Sequence, residues 1–199
     1  MFFKGKTQKS AYDMLVVGLG NPGAEYQNTR HNIGFMAADA LCEKFGATLQ
    51  KPKHKALICE CKIGNKRILI AKPTTYMNLS GQSVAEIVKF YKIPTEKVLV
   101  MFDDVSLDVG NIRIRRSGTH GGHNGMRNIS EQLYTNNIMR IKIGVGKKPH
   151  PEYDLKDWVL GKFPKTESEA VNTAVSKAVL ATEEIVIGSI DKAMNKYNS

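Results

Sequence analysis

Short apolar runs separated by amphipathic stretches organise the chain from Met14 onward. Met14 to Val17 runs directly into Gly18, Gly20, Asn21, Pro22 and Gly23, which reads as a buried strand feeding a tight loop. Ile33, Met36, Ala37, Ala40 and Leu41 then recur at helical spacing, with Asn32 placed as the N-cap. Leu57, Cys59, Cys61 and Ile63 alternate with Ile58, Glu60 and Lys62. Gly64-Asn65 and the apolar run Ile68 to Ala71 follow, so the pattern predicts a hairpin whose second strand is the more buried. The polar loop Pro73 to Ser80 leads into a helix with Val84, Ile87, Val88 and Tyr91 inward, ended by Pro94.

Val98 to Met101 predicts a further buried strand, with Asp103-Asp104 just past its C-terminal end. Ile112 and Ile114 alternate with Arg113 and Arg115; Met139, Ile141, Ile143 and Val145 alternate with Arg140 and Lys142. Both segments therefore read as strands with basic faces. Met126, Ile129 and Leu133 mark a helix, and Val171, Ala174, Val175, Ala178 and Val179 the inner face of a long last helix from about Glu167 to Ile187. Strands alternating with helices imply an α/β fold: one domain with a mixed, mostly parallel central sheet flanked by helices. The expected boundaries are a flexible N-terminal extension at 1–13, a domain at 14–190 and a C-terminal tail at 191–199.

A chain of 199 residues is long enough to bury its own core in one domain. No apolar run approaches a membrane span, and Lys4, Lys6 and Lys9 precede no signal-peptide core, so a cytoplasmic protein without a membrane partner is expected. The three cysteines, Cys42, Cys59 and Cys61, have no framework spacing and fit a reducing compartment. Cys59 and Cys61 on one strand face suit packing rather than a disulfide. A metal site of His54, Cys59 and Cys61 is the alternative to that packing role.

The formal net charge is +10, and its distribution changes the picture more than its size. Between Arg113 and Lys148 eight Lys and Arg face a single acid, Glu131, whereas the chain from Glu152 onward is rich in Asp and Glu. A one-sided basic field attracts polyanions. The segment Gly18-Leu19-Gly20-Asn21-Pro22-Gly23 follows a strand and formally matches a dinucleotide fingerprint. Its acidic partner, however, would be Asp39, which falls inside a helix, and the helix starts too late to offer its N-terminus to a pyrophosphate. A dinucleotide-binding oxidoreductase is thus the less favoured alternative.

Four loops carry polar residues with catalytic chemistry: Asn21 to Asn32, Pro73 to Gly81, Asp103-Asp104, and Gly118 to Gly125. Loops beyond the C-terminal ends of neighbouring strands converge on one crevice, which would gather Asn21, His31, Asn78, Asp103, His123 and Asn124. A histidine held by a carboxylate can take a proton from water, and neutral amides can donate to a developing oxyanion. With no nucleophile elbow, the set fits water attack on an acyl ester or amide. Bland readings stand beside this one. His31 can be a capping or surface histidine, Asp103 and Asp104 turn residues, Asn78 an N-cap, and His120 with His123 metal ligands.

Val16-Val17-Gly18-Leu19-Gly20-Asn21-Pro22-Gly23, continued by Tyr26 and Thr29-Arg30-His31-Asn32, closely resembles the N-terminal signature of bacterial peptidyl-tRNA hydrolases. Lys72 to Gly81, the Asp103-Asp104 pair, Gly118 to Gly125, Arg140 to Gly146 and Trp158 to Phe163 resemble the same family in the same order, over roughly residues 14–190. The resemblance implies a monomeric enzyme that cleaves the ester between a peptide and tRNA, with no cofactor and no metal. It implies His31 as general base, Asp103 as its orienting carboxylate, and Asn21 and Asn124 as further catalytic amides. Tyr26, Met77, Asn78, Gly121, Gly122 and His123 would bind substrate. Arg115, Arg140 and Lys142 would meet the acceptor arm and 3′ end of tRNA, and about Lys147 to Asp157 would form a flap. The alternative from another class is an RNA-binding or splicing protein on the same fold that lacks turnover.

Overall fold

The computed structural model describes residues 10–198. At its centre β1 (Met14–Gly18) is buried at all five positions, as an apolar run must be when both faces of a sheet are covered. It pairs in parallel with β4 (Lys66–Pro73) and with β5 (Val98–Asp104). With β2 (Lys51–Lys53), β3 (Ala56–Ile63), β6 (Ile112–Arg115) and β7 (Met139–Gly144), the seven-stranded order is β2-β3-β4-β1-β5-β7-β6. Pairing is parallel from β4 to β7 and antiparallel at both margins, so the sheet is mixed.

Alternation along the strands divides the core into two layers. Val16, Ile70, Leu99 and Ile141 pack under α1 (Ile33–Lys44) and α5 (Ser168–Ile187). Leu15, Val17, Leu69, Val98 and Val100 face the opposite layer, with α2 (Ser80–Tyr91) and α3 (Asn124–Leu133). Cys42 and Cys59 meet across the first layer with their sulfurs 3.0 Å apart, and all three cysteines are free thiols. His54 does not join them; its Nδ1 lies 3.1 Å from Glu86.

Gly18, the last residue of β1, and Gly34, in the first turn of α1, serve packing. A Cβ on Gly18 would sit 2.3 Å from the Gly34 carbonyl oxygen, and one on Gly34 2.4 Å from that of Met101. Only glycine lets the start of α1 approach the strand ends this closely. Asp39, the one candidate for a ribose contact, is instead paired with Lys72 at 2.7 Å.

Four expectations change. Asn32 precedes α1 but makes no capping bond; its Oδ1 accepts from the Asn21 N–H at 2.8 Å and its Nδ2 donates to the Asn21 carbonyl at 2.9 Å. Of the extension at 1–13, residues 1–9 lie outside the described residues, while Tyr12 is buried against Tyr91 and Asp13 bonds the backbone of Arg67. Within the expected tail at 191–199, of which residue 199 lies outside the described residues, α6 (Ile190–Tyr197) buries Ile190 and Ala193, and Asn198 bonds both backbone groups of Ile114. The fourth change concerns Arg140, placed by its alternation on a wet face. It is buried, and its guanidinium donates to the carbonyls of Ile138, Thr119 and Asn136 at 2.9–3.1 Å. The loop and helix between β6 and β7 cover this part of the sheet, so Arg140 staples that connection instead of meeting solvent.

Arg140→Met would leave three carbonyls without their charged donor. Unfolding free energy is expected to fall by about 3 kcal/mol in a urea titration, with an unchanged denaturation midpoint contradicting the staple.

Candidate active site

The cleft lies at the C-terminal ends of the central strands and has a cavity volume of about 600 Å³. The loop after β1 supplies Asn21, Tyr26 and His31; the turn after β4 supplies Tyr76, Met77 and Asn78. Phe102, Asp103 and Asp104 end β5, one step earlier in the chain than a loop position, since pairing with β7 continues to Asp104. His120 to Asn124 approach from the turn before α3, and Lys142 from β7. A short helix, α4 (Leu155–Leu160), closes one side with Leu155, Lys156, Val159 and Leu160.

Asp103 organises the centre. Its buried Oδ1 lies 2.7 Å from His31 Nδ1 and 3.0 Å from His123 Nε2. His123 caps α3, its Nδ1 accepting the Met126 N–H at 3.2 Å. That assignment places the His123 proton on Nε2, from which it donates to Asp103. His31 donates from Nδ1, so its Nε2 lone pair remains for a proton. Burial disfavours the His31 imidazolium, but the charge and hydrogen bond of Asp103 outweigh it, and the pKa is raised above the ordinary histidine value. Burial likewise opposes ionisation of Asp103, yet the two imidazoles hold it well below the usual carboxylate range. His31, Asp103 and His123 are also the one grouping of potential metal ligands among the described residues. In this network both nitrogens facing Asp103 carry protons, so a cation there would have to displace them.

The amide of Asn21 has a fixed direction. Its Oδ1 accepts the Met77 N–H at 2.8 Å, which turns Nδ2 toward the cleft, while Asn32 clamps its backbone. Met77 is wedged beside Gly125, where a Cβ would come within 2.6 Å of its sulfur. Asn78 lies in an exposed turn before α2 and is not its N-cap; Asn124 opens α3 at the cleft rim. Gly121 and Gly122 both have positive φ, 58° and 85°, which lets the turn pass the cleft without side chains. Tyr26 and Tyr76 meet edge to face at 6.5 Å.

The expected basic contacts divide. Lys142 reaches the cleft but is paired with Asp104 at 2.8 Å, and burial's resistance to Asp104 ionisation is overcome by Lys142 and Ser106, lowering its pKa. Arg115 is exposed on the edge strand β6, outside the cleft lining, and Arg140 is buried. Several contacts around the site are not legible in hydrophobic periodicity. Phe102 supports the His123 ring at 4.7 Å, and α4 is too short for a periodicity. Arg30 stacks on Trp158 at 3.9 Å.

This fold and this centre define a hydrolase on a mixed α/β sheet in which a carboxylate-held histidine and neutral amides line the cleft, with no serine or cysteine among its described lining residues. The chain belongs to the peptidyl-tRNA hydrolase family, whose model matches residues 15–199. It is 49% identical over 185 residues to the peptidyl-tRNA hydrolase of Alkaliphilus metalliredigens (strain QYMF), covering 92% of this chain and 98% of that one. The enzyme of Clostridium botulinum (strain Alaska E43 / Type E3) is 47% identical over 184 residues, with 92% and 95% covered. The crystal structure of peptidyl-tRNA hydrolase from Acinetobacter baumannii matches with a TM-score of 0.89 at 37% identity, covering 96% of this chain and 97% of that one.

A base must be neutral to act, so activity is expected to rise with pH through an apparent pKa above the ordinary histidine value of about 6.5. The same shift stabilises the fold below the unfolded-state pKa of His31, a contribution lost as pH rises through the higher folded-state value. Asp103→Asn should move the acid limb downward and lower kcat by about 10³–10⁴-fold. A pH–rate profile of both proteins checks this, and an unmoved limb would contradict the pairing.

Proposed function

We propose that this cleft hydrolyses the ester between the peptide, or an N-blocked amino acid, and the 3′-terminal ribose of tRNA, releasing peptide and free tRNA. The observation that carries the mechanism is the doubly occupied Asp103 Oδ1, which leaves His31 Nε2 as a proton acceptor. His31 takes the proton of an attacking water while Asp103 favours the imidazolium that forms. The oriented Nδ2 of Asn21 donates to the acyl oxygen as negative charge develops, and Asn124 helps place the water. The tetrahedral intermediate collapses by expelling the ribose oxygen, which takes the proton back from His31.

Asn78, Met77 and Tyr26 hold the peptide, and Gly121 and Gly122 let its backbone pass close to the turn. His123, expected among the substrate contacts, acts through Asp103 because both its nitrogens are engaged. An N-blocked substrate presents an amide to these groups, whereas a free ammonium would have to be desolvated beside amide donors. The acceptor arm meets Arg115 and Lys142; Arg140 is left out of this interface because it is buried, with three of its N–H groups on backbone carbonyls. One chain carries every group used, which supports a monomer, and three free thiols suit a reducing cytoplasm. No helix among the described residues is long and apolar enough to cross a membrane.

The intact protein is expected to release tRNA from N-acetyl-aminoacyl-tRNA with or without a chelator, and His31→Ala to lower the rate by about 10²–10⁴-fold. Salt-sensitive tRNA binding without release would instead indicate an RNA-binding protein on this fold. Arg115→Ala should reduce the slope of log affinity against log salt by about 1 if Arg115 meets a phosphate. An unchanged slope would remove Arg115 from the interface.

A further inference from the structure

Arg30 precedes the histidine of the cleft and is buried, although arginine is a costly residue to bury. Its guanidinium lies over two rings, Trp158 at 3.9 Å and Phe163 at 4.7 Å. It also donates to Glu167 Oε2 at 3.0 Å and to the Lys162 carbonyl at 3.2 Å. Its backbone N–H bonds the Gly161 carbonyl at 3.0 Å, next to an isolated bridge between Thr29 and Lys162. Every one of these partners belongs to α4 or to the strap that leaves it.

Trp158 is the pivotal contact. Its Nε1 donates to the Gly146 carbonyl just beyond β7, and the same short helix presents Leu155, Lys156, Val159 and Leu160 to the cleft. One face of α4 is thus a wall of the substrate site, while its tryptophan rests on the side chain adjacent to His31. Stacking of this kind is attractive because the ring face is electronegative, and it is geometrically specific because the guanidinium is planar. The bonding is nevertheless incomplete: Arg30 Nε is buried with no partner among the described residues. A cation held by two rings, one carbonyl and one partly exposed carboxylate, with its Nε unbonded, can be released at less cost than a fully bonded one.

We propose that Arg30 is a positioning residue that couples the seating of α4 to the orientation of His31, so that closing the cleft and aligning the base are one event. This deepens the hydrolase reading and rests on it for its functional meaning. When α4 seats, Trp158 locks the guanidinium, and the turn from Arg30 to Asn32 is held with His31 against Asp103. When α4 lifts, that turn loses its outer support, and the base loses its alignment together with the cleft wall.

The chain has a single tryptophan, so Trp158 is a built-in reporter of α4. The experiment compares the intact protein with Arg30→Met, Arg30→Lys and Glu167→Gln, each checked for folding by circular dichroism at the assay temperature. Three quantities are read: Trp158 emission, the His31 titration by imidazole NMR, and kcat and KM on N-acetyl-aminoacyl-tRNA. Arg30→Met is expected to shift Trp158 emission to the red and to bring the His31 pKa back toward the ordinary value. It should also lower kcat on the order of 10²-fold, as misplaced catalytic groups do, with a raised KM. Arg30→Lys should recover part of each change because the charge returns without the planar stack, and Glu167→Gln should show smaller shifts of the same sign.

If the variants only melt earlier, with emission, titration and kinetics unchanged below the transition, Arg30 is a structural staple and the proposal is overturned. It is equally overturned if emission shifts while the His31 titration stays put, because the two events are then separate. The first two readouts need no turnover, so an intact protein that releases no tRNA would sink the hydrolase reading while still leaving the coupling decided.

Discussion

A single carboxylate oxygen, Asp103 Oδ1, accepts hydrogen bonds from two imidazoles, and the rest of the site is arranged around that constraint. Because His123 spends its other nitrogen on the start of α3, its tautomer is determined, and Asp103 is supported from a second direction. The carboxylate must stay ionised while almost wholly buried, which it does only because both donors are present. His31 then has one bonded nitrogen and one open lone pair. Remove the carboxylate charge, and both the ring's orientation and its affinity for a proton go with it.

The scaffold makes this pairing possible by bringing backbone unusually close to backbone. Gly18 and Gly34 let α1 begin directly over the ends of β1 and β5, which sets the turn carrying His31 beside Asp103. On the other side, Gly125 lets Met77 approach α3, and the Met77 N–H in turn fixes the Asn21 amide. These are packing roles, and Gly18, the first glycine of the pattern that superficially suits a dinucleotide, has one of them. The cleft also owes its geometry to supporting contacts: the Asn32 clamp on Asn21, the Phe102 ring against His123 and the Arg140 staple.

Much of this is legible in the periodicity of the sequence. The alternation in β3, β6 and β7 and the helical spacing in α1, α2 and α5 correspond to observed elements, because each buries one face against a neighbour. Placing polar loops beyond the strand ends was enough to gather Asn21, His31, Asn78, Asp103, His123 and Asn124 around one cavity. What alternation could not reveal was which faces the connections cover. Arg140 has the pattern of a solvent-facing residue, yet the chain between Arg116 and Ile138 folds over it, a non-local fact. Asn32 occupies a capping position, but the bonds its amide makes are to Asn21, across the turn. The helix α4 has only six residues, and α6 follows a glycine break at the end of the chain, so neither had a periodic stretch long enough to recognise.

The central claim concerns the protons on two rings, and nitrogen-15 NMR of the imidazoles reads them directly. Above the raised His31 pKa, the account predicts His31 with its proton on Nδ1 and His123 with its proton on Nε2, both shifted by a shared carboxylate. Replacing Asp103 by Asn should perturb both rings together. A neutral His31 carrying its proton on Nε2, or two rings that respond independently to Asp103→Asn, would contradict the account.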